Sequence, residues 1–246
     1  MRILNPFFKV FYPLILISIP ILSTSSLAQP LKEESPSINV LHTIDFSKQE
    51  DGDATNWLKN NGFKFRVNGI SPRFYNKRLL METEGQKTVF ISKAIEVKSV
   101  KRVRVYWGVE RYPKGADWEN GVFRVPIAVM ISFGYQKVES GASFPKTLFV
   151  KDAPRFISLF LGEKEQEGLA YTATYYKKGG RYYCMPCGVS PGPNMVITDF
   201  NLEEAFLKEF ELPKMPLVTS CGFQMNTNDT TGGAKAFLVK VEFLSN

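Results

Sequence analysis

Two closely spaced cysteines are the most chemically suggestive feature of this sequence. Cys184 and Cys187 lie in "RYYCMPCGVSPGP", and Cys221 follows them. Haem attachment would need a histidine directly after the second cysteine, but Gly188 stands there. A thioredoxin-like pair needs a helix that begins at its first cysteine and lowers the thiol pKa. The glycines and prolines after Cys187 oppose such a helix.

The cysteines could instead hold a metal or form a structural disulfide. A zinc ion takes four ligands, so this chain would have to supply all three cysteines and its single histidine, His42. A disulfide needs only an oxidising compartment, which is normal for exported proteins. We therefore predict one structural disulfide, which joins Cys184 to Cys187 or joins Cys221 to one of them. We predict no metal and no other cofactor.

A carboxylate pair flanks a tryptophan in "GADWENG", where Asp117 and Glu119 surround Trp118. Such a pair could supply the acid and base of a glycoside-active enzyme, with the indole stacked on a sugar. A structural interpretation is that the ring closes the edge of a sandwich. A serine or cysteine triad would require His42, whose alternation with apolar residues places it in the core or at a sheet edge. No nucleophile elbow and no phosphate loop is present, so an enzyme is the alternative and not our first hypothesis.

Aromatic residues near an arginine provide a second lead. Tyr106, Tyr112 and Trp118 follow Arg104 closely, and Tyr106 shares the solvent-side row of a strand with Arg104. Aromatic rings stack on the flat faces of sugars, while arginine attracts acidic groups. We therefore predict a binding module for a carbohydrate or another anionic envelope ligand, with these four residues as its ligand-binding site. A structural envelope protein that binds another protein is a further alternative.

The elements that would position these residues are mainly strands. Three rows of apolar residues alternate with polar ones, as half-buried strands require: Val103, Val105, Trp107 and Val109; Ile127, Val129, Ile131 and Phe133; Phe237, Val239, Val241 and Phe243. One helix is predicted over about residues 202–210, with Asn201 as its N-cap and Glu204 completing a capping box. About ten to twelve strands with a single short helix predict an all-β, jelly-roll-like two-sheet β-sandwich.

The N-terminus and the charge bear on location and partners. Within the 246 residues, a basic start and an apolar run over 11–22 precede a small-residue cleavage site, which predicts a signal peptide over 1–28. Residues 29–38 are predicted to be a flexible lead-in, and 39–246 a single domain with no integral membrane segment. Removing Arg2 and Lys9 from the 31 basic residues leaves +5 against 24 acidic residues. The basic residues are scattered, so we expect anionic envelope partners and no nucleic acid. The oligomeric state cannot be predicted.

The order of several short segments resembles a known bacterial family. "IDFS", Trp57, "RLLMETEG", "VYWGVERYPKGADWENG", "PIAVMISFG" and "GFQMNTNDTTGGAKAFLVKVEF" follow one another. This order resembles the domain of unknown function 3047 (DUF3047) family across most of residues 41–244. The resemblance implies an exported β-sandwich of the carbohydrate-module kind and implies no particular activity. The family carries an acidic run before its last strand, where this chain has asparagines at 226 and 228, so the resemblance does not extend to a calcium site.

Overall fold

In the computed structural model, which describes residues 38–142 and 151–246, the chain forms two β-sheets and two short helices. The predicted signal peptide (1–28) and nearly all of the lead-in (29–38) lie outside these ranges and stay predictions. The elements in chain order are β1 Val40–Asp45, β2 Gly52–Asp53, α1 Thr55–Asn60, β3 Phe63–Asn68, β4 Arg73–Phe74, β5 Leu79–Thr83, β6 Thr88–Val97, β7 Arg102–Arg111, β8 Val125–Val138, β9 Ala153–Gly162, β10 Ala170–Tyr171, β11 Gly180–Cys187, β12 Val196–Asn201, α2 Leu202–Phe210, β13 Val218–Asn226 and β14 Ala234–Leu244.

The strands divide between two sheets of seven. The first sheet has the order β12-β7-β14-β5-β4-β2, and β1 pairs with β14 beside β5. The second sheet has the order β10-β11-β9-β8-β13-β6-β3. All pairings are antiparallel except β11 with β9, which is parallel. The predicted two-sheet β-sandwich is therefore confirmed.

The main core contains apolar side chains from both sheets. The predicted rows on β7 and β8 are confirmed, because their alternate residues are buried in this core. Trp107 is fully buried, and its indole Nε1 donates a 2.9 Å hydrogen bond to Thr198 Oγ1 on the neighbouring β12. Thr198 in turn donates to the carbonyl of Met185 on β11. This chain of hydrogen bonds satisfies the one polar atom that the indole brings into the core.

The predicted row on β14 is wrong in its first half. The register of β14 against β7 shifts between Leu238 and Lys240, which is a β-bulge at Val239. A bulge adds one residue and so reverses the faces before it. Leu238 therefore faces the core, while Phe237 packs on the outer face beneath the guanidinium of Arg78, 4.2 Å from the ring centroid.

The glycine opposite Phe237 on β7 provides the room for this ring. Gly108 pairs with Phe237, and a Cβ at position 108 would lie 2.3 Å from Phe237 Cζ. A larger residue there would displace the ring from its place under Arg78.

The predicted helix is confirmed as α2, Leu202–Phe210. Asn201 accepts a hydrogen bond from the Glu204 backbone N–H, and its amide donates to the Glu204 carboxylate. The prediction missed α1, whose six residues are too short to show a helical period and whose N-cap makes no side-chain hydrogen bond. Among the described residues, neither helix has the length and hydropathy of a bilayer-spanning segment.

Candidate functional site

A groove of about 900 Å³ lies against the outer face of the second sheet. Strands β3, β6, β13, β8, β9 and β11 all contribute residues to it. The same strands turn their other faces into the main core, so the groove uses the side-chain rows that the core leaves over. A concave surface of this volume is within the range of ligand sites.

Small polar side chains form the floor of the groove. Ser132 on β8 alternates with core residues and pairs with Phe156 on β9, while Ser220 and Gln224 on β13 face the same way. The floor also contains Ser92 from β6. Hydroxyls and amides both donate and accept hydrogen bonds, so this floor can match the hydroxyl groups of a ligand.

Aromatic rings form the deeper wall of the groove and belong to a second hydrophobic cluster, separate from the main core. Trp118 is stacked on Phe160 at 4.6 Å and packs against Tyr182 at 4.9 Å. Its Nε1 donates to the carbonyl of Arg124. Phe123 lies edge-on to the indole at 5.1 Å and is only half-buried, so it offers ring surface to the groove.

One floor residue is buried and has no hydrogen-bond partner. Ser158 on β9 is fully buried, and among the described residues its Oγ has no hydrogen-bond partner. It lines the groove between Met130 on β8 and Tyr182 on β11, its partners across the sheet. Buried polar groups in native proteins nearly always have a partner, so Ser158 is an exception that lowers the stability of the folded state.

The charged groups of the groove differ in how they are held. Arg124 forms an ion pair with Asp229 and donates to two backbone carbonyls, so it ties two loops together. Arg66 on β3 donates through Nε to Ser92 Oγ at 3.1 Å. Lys151 and Asp152 are exposed and precede β9.

The structure does not bring the four predicted ligand-binding residues together. Arg104 and Tyr106 lie on the outer face of the first sheet. The Tyr106 hydroxyl donates a hydrogen bond to Glu242, and Nζ of Lys240 lies 4.3 Å from the centroid of the Tyr106 ring. Asp199 pairs with Arg104 at 2.7 Å and with Arg102 at 2.8 Å. These contacts neutralise the face that the sequence suggested would be a basic platform.

These ion pairs also shift the pKa values of Arg104 and Asp199. The hydrogen bond to Asp199 raises the pKa of Arg104 against the opposing effect of burial. Burial alone would raise the pKa of Asp199, but hydrogen bonds from Arg104 and Arg102 outweigh it and lower that pKa. The charges are therefore engaged in the folded protein.

The other two predicted residues are buried. Tyr112 is 8% exposed and donates to the carbonyl of Val189, and burial raises its pKa above the ordinary value. Trp118 is 5% exposed and lies in the wall of the groove, on the other sheet from Arg104. The predicted platform of Arg104, Tyr106, Tyr112 and Trp118 is therefore wrong as one site. The register of β7 against β14 shifts between Val109 and Arg111, and Tyr112 beyond it enters the main core, while Trp118 lies in the loop after β7.

The carboxylates on either side of Trp118 are held by local contacts. Asp117 accepts hydrogen bonds from the side chain and backbone of Asn120, which lower its pKa. Glu119 accepts from the Tyr171 hydroxyl, and burial together with this contact raises the pKa of Tyr171 to about 12. Neither Asp117 nor Glu119 lines the groove, so the alternative acid/base pair gains no support from the geometry.

The cysteines resolve into one disulfide and one thiol. Cys184 and Cys187 are bonded to each other at the end of β11, and Cys221 is free and buried in the main core. The predicted structural disulfide is confirmed. Its pairing of Cys184 with Cys187 is one of the alternatives that the sequence left open. Burial raises the pKa of the Cys221 thiol.

No metal centre is apparent in the described part of the chain. Within residues 38–142 and 151–246, no group of three or more histidine, cysteine, aspartate or glutamate side chains could hold an ion. The His42 ring lies 6.0 Å from Phe243, and burial lowers its pKa.

Sequence reasoning missed the groove itself. No strand was predicted at the Cys-x-x-Cys segment, whereas this segment ends strand β11, whose Tyr182 lines the groove. Arg66 and Ser158 gave no signal in the sequence, because a serine or an arginine on a strand usually faces solvent. A search for serines at alternating positions of several strands would have found part of the floor.

Comparisons with known proteins provide only remote similarities. No family model matches the chain, and no curated protein matches it. Among solved structures, a family 29 carbohydrate-binding module is similar at 7% identity and a TM-score of 0.35, covering 85% of this chain and 89% of that one. The K2 cleaved adhesin domain of Lys-gingipain is similar at 9% identity and a TM-score of 0.38, covering 82% and 98%. Because these TM-scores lie below 0.5, we draw no functional conclusion from them, and membership of the DUF3047 family stays a prediction.

Proposed function

We propose that this chain is a carbohydrate-binding module whose ligand lies in the groove over the second sheet. The observation that carries the proposal is the composition of that groove. A volume of about 900 Å³ combines aromatic rings on its wall with hydroxyl and amide groups on its floor. This combination matches a sugar, which has flat C–H faces and a rim of hydroxyl groups.

The arrangement of the floor supports a directional ligand. Ser132, Ser220 and Gln224 come from two neighbouring strands, β8 and β13, and all lie on the outer face. Ser158 adds a buried hydroxyl that lacks a partner among the described residues. Because Ser158 is fully buried, the half-buried Ser132, Ser220 and Gln224 provide the polar groups that a ligand can reach.

Binding without turnover is favoured by the carboxylates of the groove. Its described lining contains two, Asp152 and Asp229. Asp229 is paired with Arg124 and follows β13 near the start of β8, whereas Asp152 precedes β9 near the end of β8. Glycoside hydrolysis needs two carboxyl groups that flank one bond, within about 10 Å of each other. The groove offers no such pair at its centre.

The proposal includes export to an oxidising compartment. The Cys184–Cys187 disulfide supports this part, because disulfides persist mainly outside the cytoplasm. The predicted signal peptide over 1–28 supports it independently.

A glycan array with two obstructing variants tests the proposal. Ser132→Trp places an indole on the floor of the groove, on a half-buried position that is not part of the main core. Ile197→Trp places the same ring on the outer face of the first sheet, directly opposite Tyr106 and 54% exposed. We expect Ser132→Trp to abolish glycan binding and Ile197→Trp to leave it unchanged.

The reverse result would move the site to the face of Arg104 and Tyr106. Absence of binding to every glycan by the wild-type protein would refute a carbohydrate ligand. Both variants are first compared with the wild type by circular dichroism, so that a loss of binding is not a loss of folding.

A further inference from the structure

We infer that the groove selects acidic saccharides over neutral ones, and that Arg66 binds the carboxylate of the ligand. This inference rests on the proposed function, and it names the substrate class of the same site. It depends on which charges at the groove are already neutralised within the protein and which are not.

Arg66 is oriented at the groove by one hydrogen bond. It lies on β3, the edge strand of the second sheet, and donates through Nε to Ser92 Oγ on the adjacent β6 at 3.1 Å. Among the described residues it has no carboxylate within 4.0 Å. Lys64, two residues earlier on the exposed side of the same strand, also lacks such a partner in the described ranges.

The other charges of the groove largely cancel. Arg124 is paired with Asp229, and its Nε and Nη1 donate to the carbonyls of Asn228 and Phe123. Lys151 has Asp152 as its neighbour in the chain, and both are exposed. The lining therefore carries three positive and two negative side chains, a formal charge of +1, and Arg66 is the one that a hydrogen bond to Ser92 orients.

The chemistry of guanidinium explains why this charge would select carboxylates. With Nε engaged by Ser92, the two terminal nitrogens of Arg66 remain as donors in a planar fork. Such a fork binds a carboxylate or a sulfate through two parallel hydrogen bonds, which are stronger than bonds between neutral groups. A neutral sugar hydroxyl offers this fork one uncharged oxygen, so its hydrogen bonds to Arg66 are weaker. A single charge-assisted contact at an exposed site corresponds to about a tenfold gain in affinity.

Matched oligosaccharides test this inference by isothermal titration calorimetry. The first pair is an oligogalacturonate and the same oligomer with its carboxylates converted to methyl esters, and the second is an oligomannuronate and the corresponding mannan oligomer. We expect the acidic member of a pair to bind about tenfold more tightly than its neutral counterpart. Arg66→Gln should remove that difference, and Arg66→Lys should retain part of it.

Lys208→Gln is the matched control, since it removes one positive charge on α2, outside the groove lining. An equal loss of acid preference in Lys208→Gln would mean that net charge and not Arg66 is responsible, and would overturn the inference. Equal binding of acidic and neutral members would overturn acid selection but leave the proposed function standing. Failure of every acidic and neutral probe to bind would overturn both.

Discussion

The unpaired hydroxyl of Ser158 leads to a prediction in which stability increases and glycan affinity does not change. Ser158 is fully buried, and its Oγ has no partner in the described part of the chain. Leaving a polar group buried and unpaired costs about 1–3 kcal/mol. Ser158→Ala removes the oxygen without a large change of volume, so the desolvation cost should be relieved.

We expect Ser158→Ala to raise the free energy of unfolding by about 1 kcal/mol, the lower end of that range. For a domain of this size, the same change corresponds to an increase in Tm of about 2–4 °C. Urea denaturation and thermal unfolding, followed by circular dichroism in the absence of ligand, measure the two quantities. Glycan affinity should stay unchanged, because the fully buried Ser158 hydroxyl is not accessible to a ligand in the groove.

Ser132→Ala is the matched control for this experiment. Ser132 lies on the same face of the neighbouring strand β8 but is only half-buried, so we expect a change in stability of less than about 0.5 kcal/mol. A decrease of about 1 kcal/mol or more in Ser158→Ala would show that the hydroxyl is hydrogen-bonded in the free protein. The reasoning that treats the Ser158 hydroxyl as buried and unpaired would then be refuted.

Three further predictions concern the scaffold. Thr198→Val should lower the free energy of unfolding by about 1–3 kcal/mol in urea titrations, because the buried Nε1 of Trp107 loses its acceptor. Thr198→Ser keeps the hydroxyl and should retain most of the wild-type stability. An equal loss of stability in both variants would contradict this reason. The pKa of Asp199 is lowered in the folded state from 3.8, so its stabilisation is present above about pH 4 and is lost as the pH falls through the lowered value. Asp199→Asn should therefore flatten the acid side of the profile of urea midpoint against pH, and an unchanged acid slope would refute it. Because Cys221 is buried and its pKa is raised, iodoacetamide should not modify the native protein. After unfolding without reductant, mass spectrometry should find one added group and a peptide in which Cys184 and Cys187 are still cross-linked. Modification of the native protein would contradict the burial of Cys221.

The local features of this fold could be predicted from the sequence. Alternation along β7 and β8 identified their core rows, because side chains of a strand point to opposite faces with a period of two. The spacing of Asn201 and Glu204 identified the start of α2, because a capping box involves residues three apart.

Irregularities that depend on a partner strand could not be predicted. The bulge at Val239 reverses the face of Phe237, and it is defined by the register of β14 against β7 and not by the composition of β14. Strand β11 was missed for two reasons. It pairs in parallel with β9, which is not adjacent to it in the chain, and its own sequence contains the Cys-x-x-Cys pattern instead of a simple apolar alternation.

The sequence by itself therefore determined that this is a β-sandwich, which rows of β7 and β8 face its core, and that a disulfide is present. Only the tertiary structure decided which outer face is available for a ligand. In the folded protein, Arg104 is paired with Asp199 and Tyr106 is bonded to Glu242, whereas Arg66, Ser158 and Trp118 line one groove. The physical reason is that alternation is a property of one strand, whereas a groove is formed by strands that pair across long stretches of the chain.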